Sequence, residues 1–452
     1  MAAHLIESLA TSEALAEVFS DSSILQTMLD FEVALARAEA RVGIVPKVAA
    51  DRIAAAANAS EFDIGALSRS MFRAGTPGIP VVKALTEKVS AAAPEAAGWV
   101  HWGATSQDVA DTALVLLLKR AETVIAGDIE RLERALTRLS EQHTATVMLG
   151  RTLMQAAPPV TFGLKVAGWL AALSRSNKRL ESAFEETMIL QFGGASGTLA
   201  SLGDKGTIVA RTLSEELGLR CPEAPWHAHR DRLAYLVCCC GVLTGSLGKM
   251  ARDISLLMQT EVGEVAETGG EGRGGSSTMP HKRNPIACSL TLAAAERVPG
   301  LVASFLSAMV QEQERAVGGW QSEWPTVASI VQSTGVAASS MAEVAEGLSV
   351  DPVRMRQNIA NTKGLIFAER AMMLLAAELG RGAAHKLLEN ALQKAVARNQ
   401  DLSTVLAELP EVSSRLNRSL LEQLEIPEQY LGSAEAFREA LLNSTTSNKK
   451  EQ

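Results

Sequence analysis

Apolar residues along much of this chain recur at alternating steps of three and four. The plainest run is Leu114, Leu118, Ala121, Ile125, Ile129, Leu132, Leu136 and Leu139, a spacing that lines one stripe of a helix and predicts a single long element. A second seam, Leu233, Leu236, Cys240, Leu243, Leu247, Met250, Ile254 and Leu257, keeps the period while Lys249, Arg252 and Asp253 fall off it. Helices of about 30 residues reach about 45 Å, and rods of that length find enough apolar surface only on other rods. Prolines are sparse, and the gaps 95–157, 160–221 and 353–409 carry helical rather than alternating patterns. The expected fold is all-α: a helical N-terminal part over 1–104, a central bundle of long helices over 105–350, and a helical C-terminal part over 351–452. The last part opens with "VDPVRMRQNI" and ends in the polar tail "NSTTSNKKEQ", which should be disordered.

Composition sharpens this picture. Aromatic residues make up only 4% of the chain, so aliphatic ridges and alanines must do the packing, and seams this long often continue across subunits. A homo-oligomer is expected. The formal net charge of −8 argues against bulk electrostatic binding of nucleic acid or an acidic membrane, while leaving room for a local pocket that collects small anions. The start "MAAHLIESLATSEALAEVF" lacks a signal peptide's basic start and unbroken apolar core, and no unbroken apolar run reaches the roughly 18 residues of a membrane span. The expected setting is cytoplasmic. Three of the five cysteines are consecutive (Cys238, Cys239, Cys240) and Cys221 and Cys288 show no paired spacing, so all read as small apolar fillers. His227 and His229 form an H-x-H pair without a third ligand at usual spacing, and no metal is expected.

One segment breaks the helical pattern: "GRGGSSTMPHKRNP", from Gly272 to Pro285. It should follow a helix ending near Val265 and feed another in which Asn284 is the N-cap and Pro285 the first helical residue. Glycines at 269, 270, 272, 274 and 275 let backbone N–H groups approach a ligand, the helix end favours an anion, and Lys282 adds a full charge. A solvated linker would explain the glycines but not the rest. The G-x-x-x-x-G-K-[ST] order of a phosphate loop is absent.

"GGSSTMPHKRNP" resembles the signature loop of the fumarase/aspartase superfamily, G-S-S-x-M-P-x-K-x-N. "HWGATSQDVADTA" from His101, "GRTLMQAAPPVTFG" from Gly150 and "FGGASGT" from Phe192 resemble it too, so that the likeness covers most of the chain. The resemblance implies an all-helical homotetramer with a central bundle from four subunits and active sites shared among three chains. It also implies addition or elimination beside a carboxylate, through an enolate-like dianion, without cofactor. Such chemistry needs preorganised donors and cations where the second negative charge develops. The resemblance makes Ser276 and His101 the catalytic residues, Ser276 as the proton-transfer group and His101 as the match to a family histidine near the site. Ser277, Lys282, Asn284, Thr105, Ser106, Arg151 and Gln155 would hold substrate. Thr105 and Ser106 also read as the cap of the following helix, with Asp108 completing a capping-box-like pattern.

Two departures bear on the reaction. Members that split C–N bonds usually carry R-T-H-x-Q in the second segment; here the order is Arg151, Thr152, Leu153, Met154, Gln155. The histidine of the purine-cleaving branch's H-D-V motif is also missing from "RAGTPGIPVV". An amine leaving group needs a proton from a general acid, whereas a carboxylate, with an ordinary pKa of about 4, adds or leaves as the anion. Apolar Leu153 therefore suits a second reacting group that is itself a carboxylate. The resemblance, including "QEQERAVGGWQSEWPTV" from Gln311, is strongest to the branch that closes a lactone within a small tricarboxylate, with Arg315 helping to bind one carboxylate. Two alternatives remain: an adenylosuccinate lyase-like enzyme releasing fumarate that recruits another acid, such as His229, and a non-catalytic structural member like the lens crystallins.

Overall fold

The computed structural model describes residues 5–268, 279 and 282–447. Six long helices dominate: α1 (Asp21–Val42), α2 (Ser106–Gln142), α3 (Phe162–Thr187), α4 (Asp231–Leu257), α5 (Ile286–Ala308) and α6 (Gly319–Gly347). The expected all-α class holds. Every residue of the two apolar seams is buried, Leu114 to Leu139 along α2 and Leu233 to Leu257 along α4. Shorter helices account for much of the remainder of the described residues.

Contacts divide the molecule into two compact units. One comprises Met1–Glu130, Arg175–Gly248 and Leu290–Ser340; the other comprises Arg131–Ser174, Lys249–Ser289 and Met341–Gln452. Helices α2 to α6 each give residues to both. Within the first unit, α1 packs its Phe31, Leu35 and Ala38 face with Ile53, Val81, Leu85 and Leu213 into one aliphatic core. The second unit has its own core, in which Phe367, Leu375, Leu388, Leu402 and Leu406 surround Val147 and Leu149.

Three features differ from the sequence reading. First, a β-hairpin interrupts the expected helical stretch: β1 (Val147–Thr152) pairs antiparallel with β2 (Gln155–Thr161). Its two-residue turn is Leu153 and Met154, both with positive φ (49° and 65°), a geometry that usually recruits Asn-Gly. Bulky residues there gave no turn signal. Second, α4 ends at Leu257, not near Val265, and the chain then turns back, with Gly263 at φ 61° and the Glu264 N–H donating to Leu257 O at 2.9 Å. Val265 instead belongs to β3 (Val265–Ala266), which pairs with β4 (Ser349–Val350). Third, part of the polar tail is helical, since the last described helix runs from Ala434 to Ser447.

Helices α4 and α5 have the length and apolar composition of a membrane span, with 61% of the most apolar window of α4 and 28% of that of α5 buried within the chain. For α4 this is what a core helix displays, because its seam is covered by protein. We expect Leu118→Ala, at a fully buried seam position, to cost about 2–5 kcal/mol through lost burial and a residual cavity. A shift of the denaturant midpoint at unchanged slope would measure it.

Candidate active site

The start of α2 is where the first unit concentrates polar groups. Thr105 is the N-cap residue and Asp108 the third helical residue; the Thr105 N–H donates to Asp108 Oδ2 at 3.0 Å, the reciprocal half of a capping box. The capping pattern read from the sequence is therefore present. Asp108 does more than cap. Its fully buried carboxylate also accepts from Gly193 N–H (3.0 Å) and Gly194 N–H (2.9 Å), and His227 Nε2 lies 2.7 Å from its Oδ1. One side chain thus ties "ATSQD", "FGGASGT" and "WHAHRDR" together. Gly193 is required here, because a Cβ would come within 2.8 Å of the His227 ring.

The Thr105 hydroxyl is left to face outward from the cap. It accepts from Arg315 Nη1 at 3.1 Å, while Arg315 Nη2 donates to the carbonyls of Gly194 (3.3 Å) and Ala195 (3.1 Å). Ser106 is half-buried, and Gly78 packs so closely on it that a Cβ at 78 would approach its Cα to 2.7 Å. "RAGTPGIPVV" therefore also reaches this corner. His101, four residues before the cap, adopts φ +60° and places Nδ1 2.7 Å from the buried Glu32 carboxylate. Burial works against charge on His101, but Glu32 and then Asp108 override it and hold the pKa above its ordinary value.

Beneath this corner lies a buried ion network that the sequence reading missed. The Arg230 guanidinium donates to Asp111 (2.7 and 3.0 Å) and to Glu323 (2.6 Å through Nη2), all three side chains being inaccessible. Asp111 also accepts from Trp320 Nε1 (2.9 Å) and Gln107 (3.1 Å), and Glu323 accepts from Gln311 (2.7 Å). Burial raises Glu323 to about 7 despite Arg230. Because Gln311 and Trp320 bracket Arg315 in sequence, the network anchors the segment that carries it. The available signal was charge inside apolar surroundings: Glu323 stands between Trp320 and Trp324, and Asp111 one helical turn after Asp108.

The second unit holds Arg151, Gln155, Lys282 and Asn284. Arg151, in β1, gives its fork to the buried Glu264 carboxylate (2.9 and 2.6 Å), which also accepts from Asn358 (2.8 Å). Its visible partner is thus structural. Gln155 and Lys282 are exposed and Asn284 half-buried. Leu153, at the hairpin tip, is 97% exposed. Ser276 and Ser277 lie outside the described residues.

Helix α5 begins at Ile286, with the Ser289 N–H donating to Pro285 O at 2.9 Å. Pro285 is the N-cap, one position later than expected. The free N–H groups of that first turn are not left for a ligand: Glu267 accepts from Ala287 N–H (3.2 Å) and Cys288 N–H (2.9 Å). The chain's own carboxylate fills the anion position that the sequence suggested for substrate. The H-x-H pair is split, His227 being buried on Asp108 and His229 exposed.

Residues 8–300 match the family model described as "Lyase", and residues 364–441 the model described as "Adenylosuccinate lyase C-terminus". The chain belongs to this lyase family, within the fumarase/aspartase superfamily. It is 47% identical over 440 residues to the 3-carboxy-cis,cis-muconate cycloisomerase of Bradyrhizobium diazoefficiens, covering 97% of this chain and 98% of that one. The crystal structure of the 3-carboxy-cis,cis-muconate lactonizing enzyme of Pseudomonas putida superposes with a TM-score of 0.93 at 46% identity, covering 98% and 99% of the two chains. A nitrosuccinate lyase of Streptomyces davaonensis is 41% identical over 423 residues, 92% of this chain and 89% of that one.

Buried Glu39, two turns along α1 from Glu32, is raised by burial, and by Glu32, to about 9. It is protonated in the fold and ionised when unfolded at neutral pH, so the folded state binds the extra proton and loses stability as pH rises from about 4.5 towards 9. We expect Glu39→Gln to abolish this slope. The difference in unfolding free energy from denaturant titrations, variant minus parent, should grow between pH 5 and 8, by up to about 1.4 kcal/mol per pH unit at full effect.

Proposed function

We propose that this enzyme is a 3-carboxy-cis,cis-muconate cycloisomerase, closing a lactone within a conjugated tricarboxylate. The observation that carries the reading is Leu153: where relatives that expel an amine place an imidazole, this chain presents an apolar side chain at the tip of an exposed hairpin. No acid is needed there if the second reacting group is a carboxylate, which attacks as the anion.

In this reading one substrate carboxylate attacks a diene carbon, one C–O bond forms, and the electron pair of the broken C=C passes to the neighbouring carbon and its carboxylate. Ser276 delivers a proton to that carbon, so the trianion takes up one proton and leaves as a dianion. Thr105, Ser106 and Arg315 bind one carboxylate. Lys282, Asn284 and Ser277 hold the carboxylate on which the second charge develops, since donors aimed at that charge lower the barrier. Arg151 supports the hairpin through Glu264, with Gln155 beside it on β2.

The family acts on small carboxylates; a homotetramer with sites shared among chains, a cytoplasmic setting, and the division at 104 and 350 belong to the same proposal. A second reading rests on the same Leu153. A C–N lyase whose leaving group departs as a stable anion, as nitrite would from nitrosuccinate, also needs no acid.

The test is an ultraviolet assay. We expect 3-carboxymuconate to lose its conjugated-diene absorbance with uptake of one proton per molecule, unsubstituted muconate to react far more slowly, and Ser276→Ala to lower kcat by about 10²–10⁴. Turnover of nitrosuccinate or adenylosuccinate to fumarate in place of 3-carboxymuconate would overturn the assignment.

A further inference from the structure

Glu32 lies in the middle of α1, on a face otherwise made of Phe31, Leu35 and Ala36, and is fully buried. A carboxylate there is costly unless something nearby uses it. Its Oε1 is 2.7 Å from His101 Nδ1, while Oε2 is buried with no hydrogen-bond partner among the described residues. His101 is itself held in a left-handed backbone conformation (φ +60°) that a non-glycine residue adopts only when its surroundings enforce it. The next turn is fixed by Gly103 (φ +73°), where a Cβ would meet Leu202 at 2.8 Å. Among the described residues, Nε2 of His101 has no hydrogen-bond partner.

We infer that Glu32 is a positioning residue: it grips His101 by Nδ1 and holds the ring as a cation whose free Nε2–H completes the anion-binding corner made by Thr105, Ser106 and Arg315. This rests on the reading of that corner as the seat of a substrate carboxylate. The charged groups around the ring are Glu32 from α1 and Asp108 from α2, with Arg315 reaching the corner through Thr105. Asp108 is already committed to three N–H groups and His227, which leaves Glu32 as the dedicated partner. Glu39 sits on the same helix, but its raised pKa keeps it neutral around pH 7, so it adds no second charge. An imidazolium with one nitrogen fixed and the other free is a directional donor, and hydrogen bonds to a charged group are the stronger kind.

The test uses the intact enzyme, with histidines labelled at 13Cε1 and the His101 signal identified from His101→Gln. Propane-1,2,3-tricarboxylate is the probe. We expect His101 to titrate above the ordinary 6.5 and Glu32→Gln, which keeps shape and an acceptor oxygen, to bring the midpoint down. The same variant should weaken probe binding at pH 7.5 about tenfold, and wild-type affinity should fall likewise as pH rises through the His101 midpoint. Glu39→Gln should change neither. If Glu32→Gln does not fold, the wild-type titration and Glu32→Asp carry the test, Asp being expected to lower midpoint and affinity together. A wild-type midpoint at or below the ordinary value, or a lowered midpoint with unchanged affinity, would overturn the inference. Protein that displays both shifts yet leaves 3-carboxymuconate untouched would refute the substrate assignment and keep the Glu32–His101 pair.

Discussion

A single buried carboxylate at the first turn of α2 is the point on which the site depends. Asp108 gathers the N–H groups of Thr105, Gly193 and Gly194 and the ring of His227 within 2.7–3.0 Å. The net gain from each of these bonds is modest, because each replaces a bond to water, but a buried carboxylate that lost them would carry its full desolvation cost. The three segments are therefore held together by a requirement, not only by a gain. With its N–H satisfied by Asp108, Thr105 has its hydroxyl free for Arg315, and Arg315 is oriented by two carbonyls of the same glycine turn.

The same logic extends one layer deeper. Arg230, Asp111 and Glu323 form an inaccessible ion group, whose worth as stability is small or negative compared with a well-packed apolar replacement. What it supplies is position: it fixes Gln311, Trp320 and Gln107 around the segment carrying Arg315. The second unit has its own version, in which Arg151 and Asn358 converge on Glu264 and Glu267 closes the first turn of α5. Within each unit, acidic side chains thus organise a cation or a helix end, and the net charge of −8 is compatible with an anionic substrate because charges that meet a small ligand are local.

The architecture was legible because its signal is periodic. Both long seams were readable residue by residue, since helices this long repeat the same demand every three or four positions. The hairpin was not, because Leu153 and Met154 occupy left-handed positions without the residues that usually advertise them, and Val147 to Leu149 pass equally as helix. Thr105 and Asp108 were readable as a cap because capping is local. Arg230 with Glu323, Glu32 with His101, and Glu267 with the start of α5 were not: these partners are separated by 93, 69 and about 20 residues, and only the fold says which buried charge meets which. Pro285 was misplaced by one residue for a related reason, the cap of α5 coming from Glu267 and not from its neighbour in sequence.

The most direct measurement of the central claim compares Asp108→Asn with the parent, by amide hydrogen exchange at Gly193 and Gly194 and by calorimetric binding of propane-1,2,3-tricarboxylate. Asn keeps the shape but replaces one acceptor oxygen with an N–H donor that faces other donors. The account predicts that both amides exchange about tenfold faster or more and that affinity falls in parallel while the protein stays folded. Unchanged exchange together with parental affinity would show that the carboxylate does not organise the site.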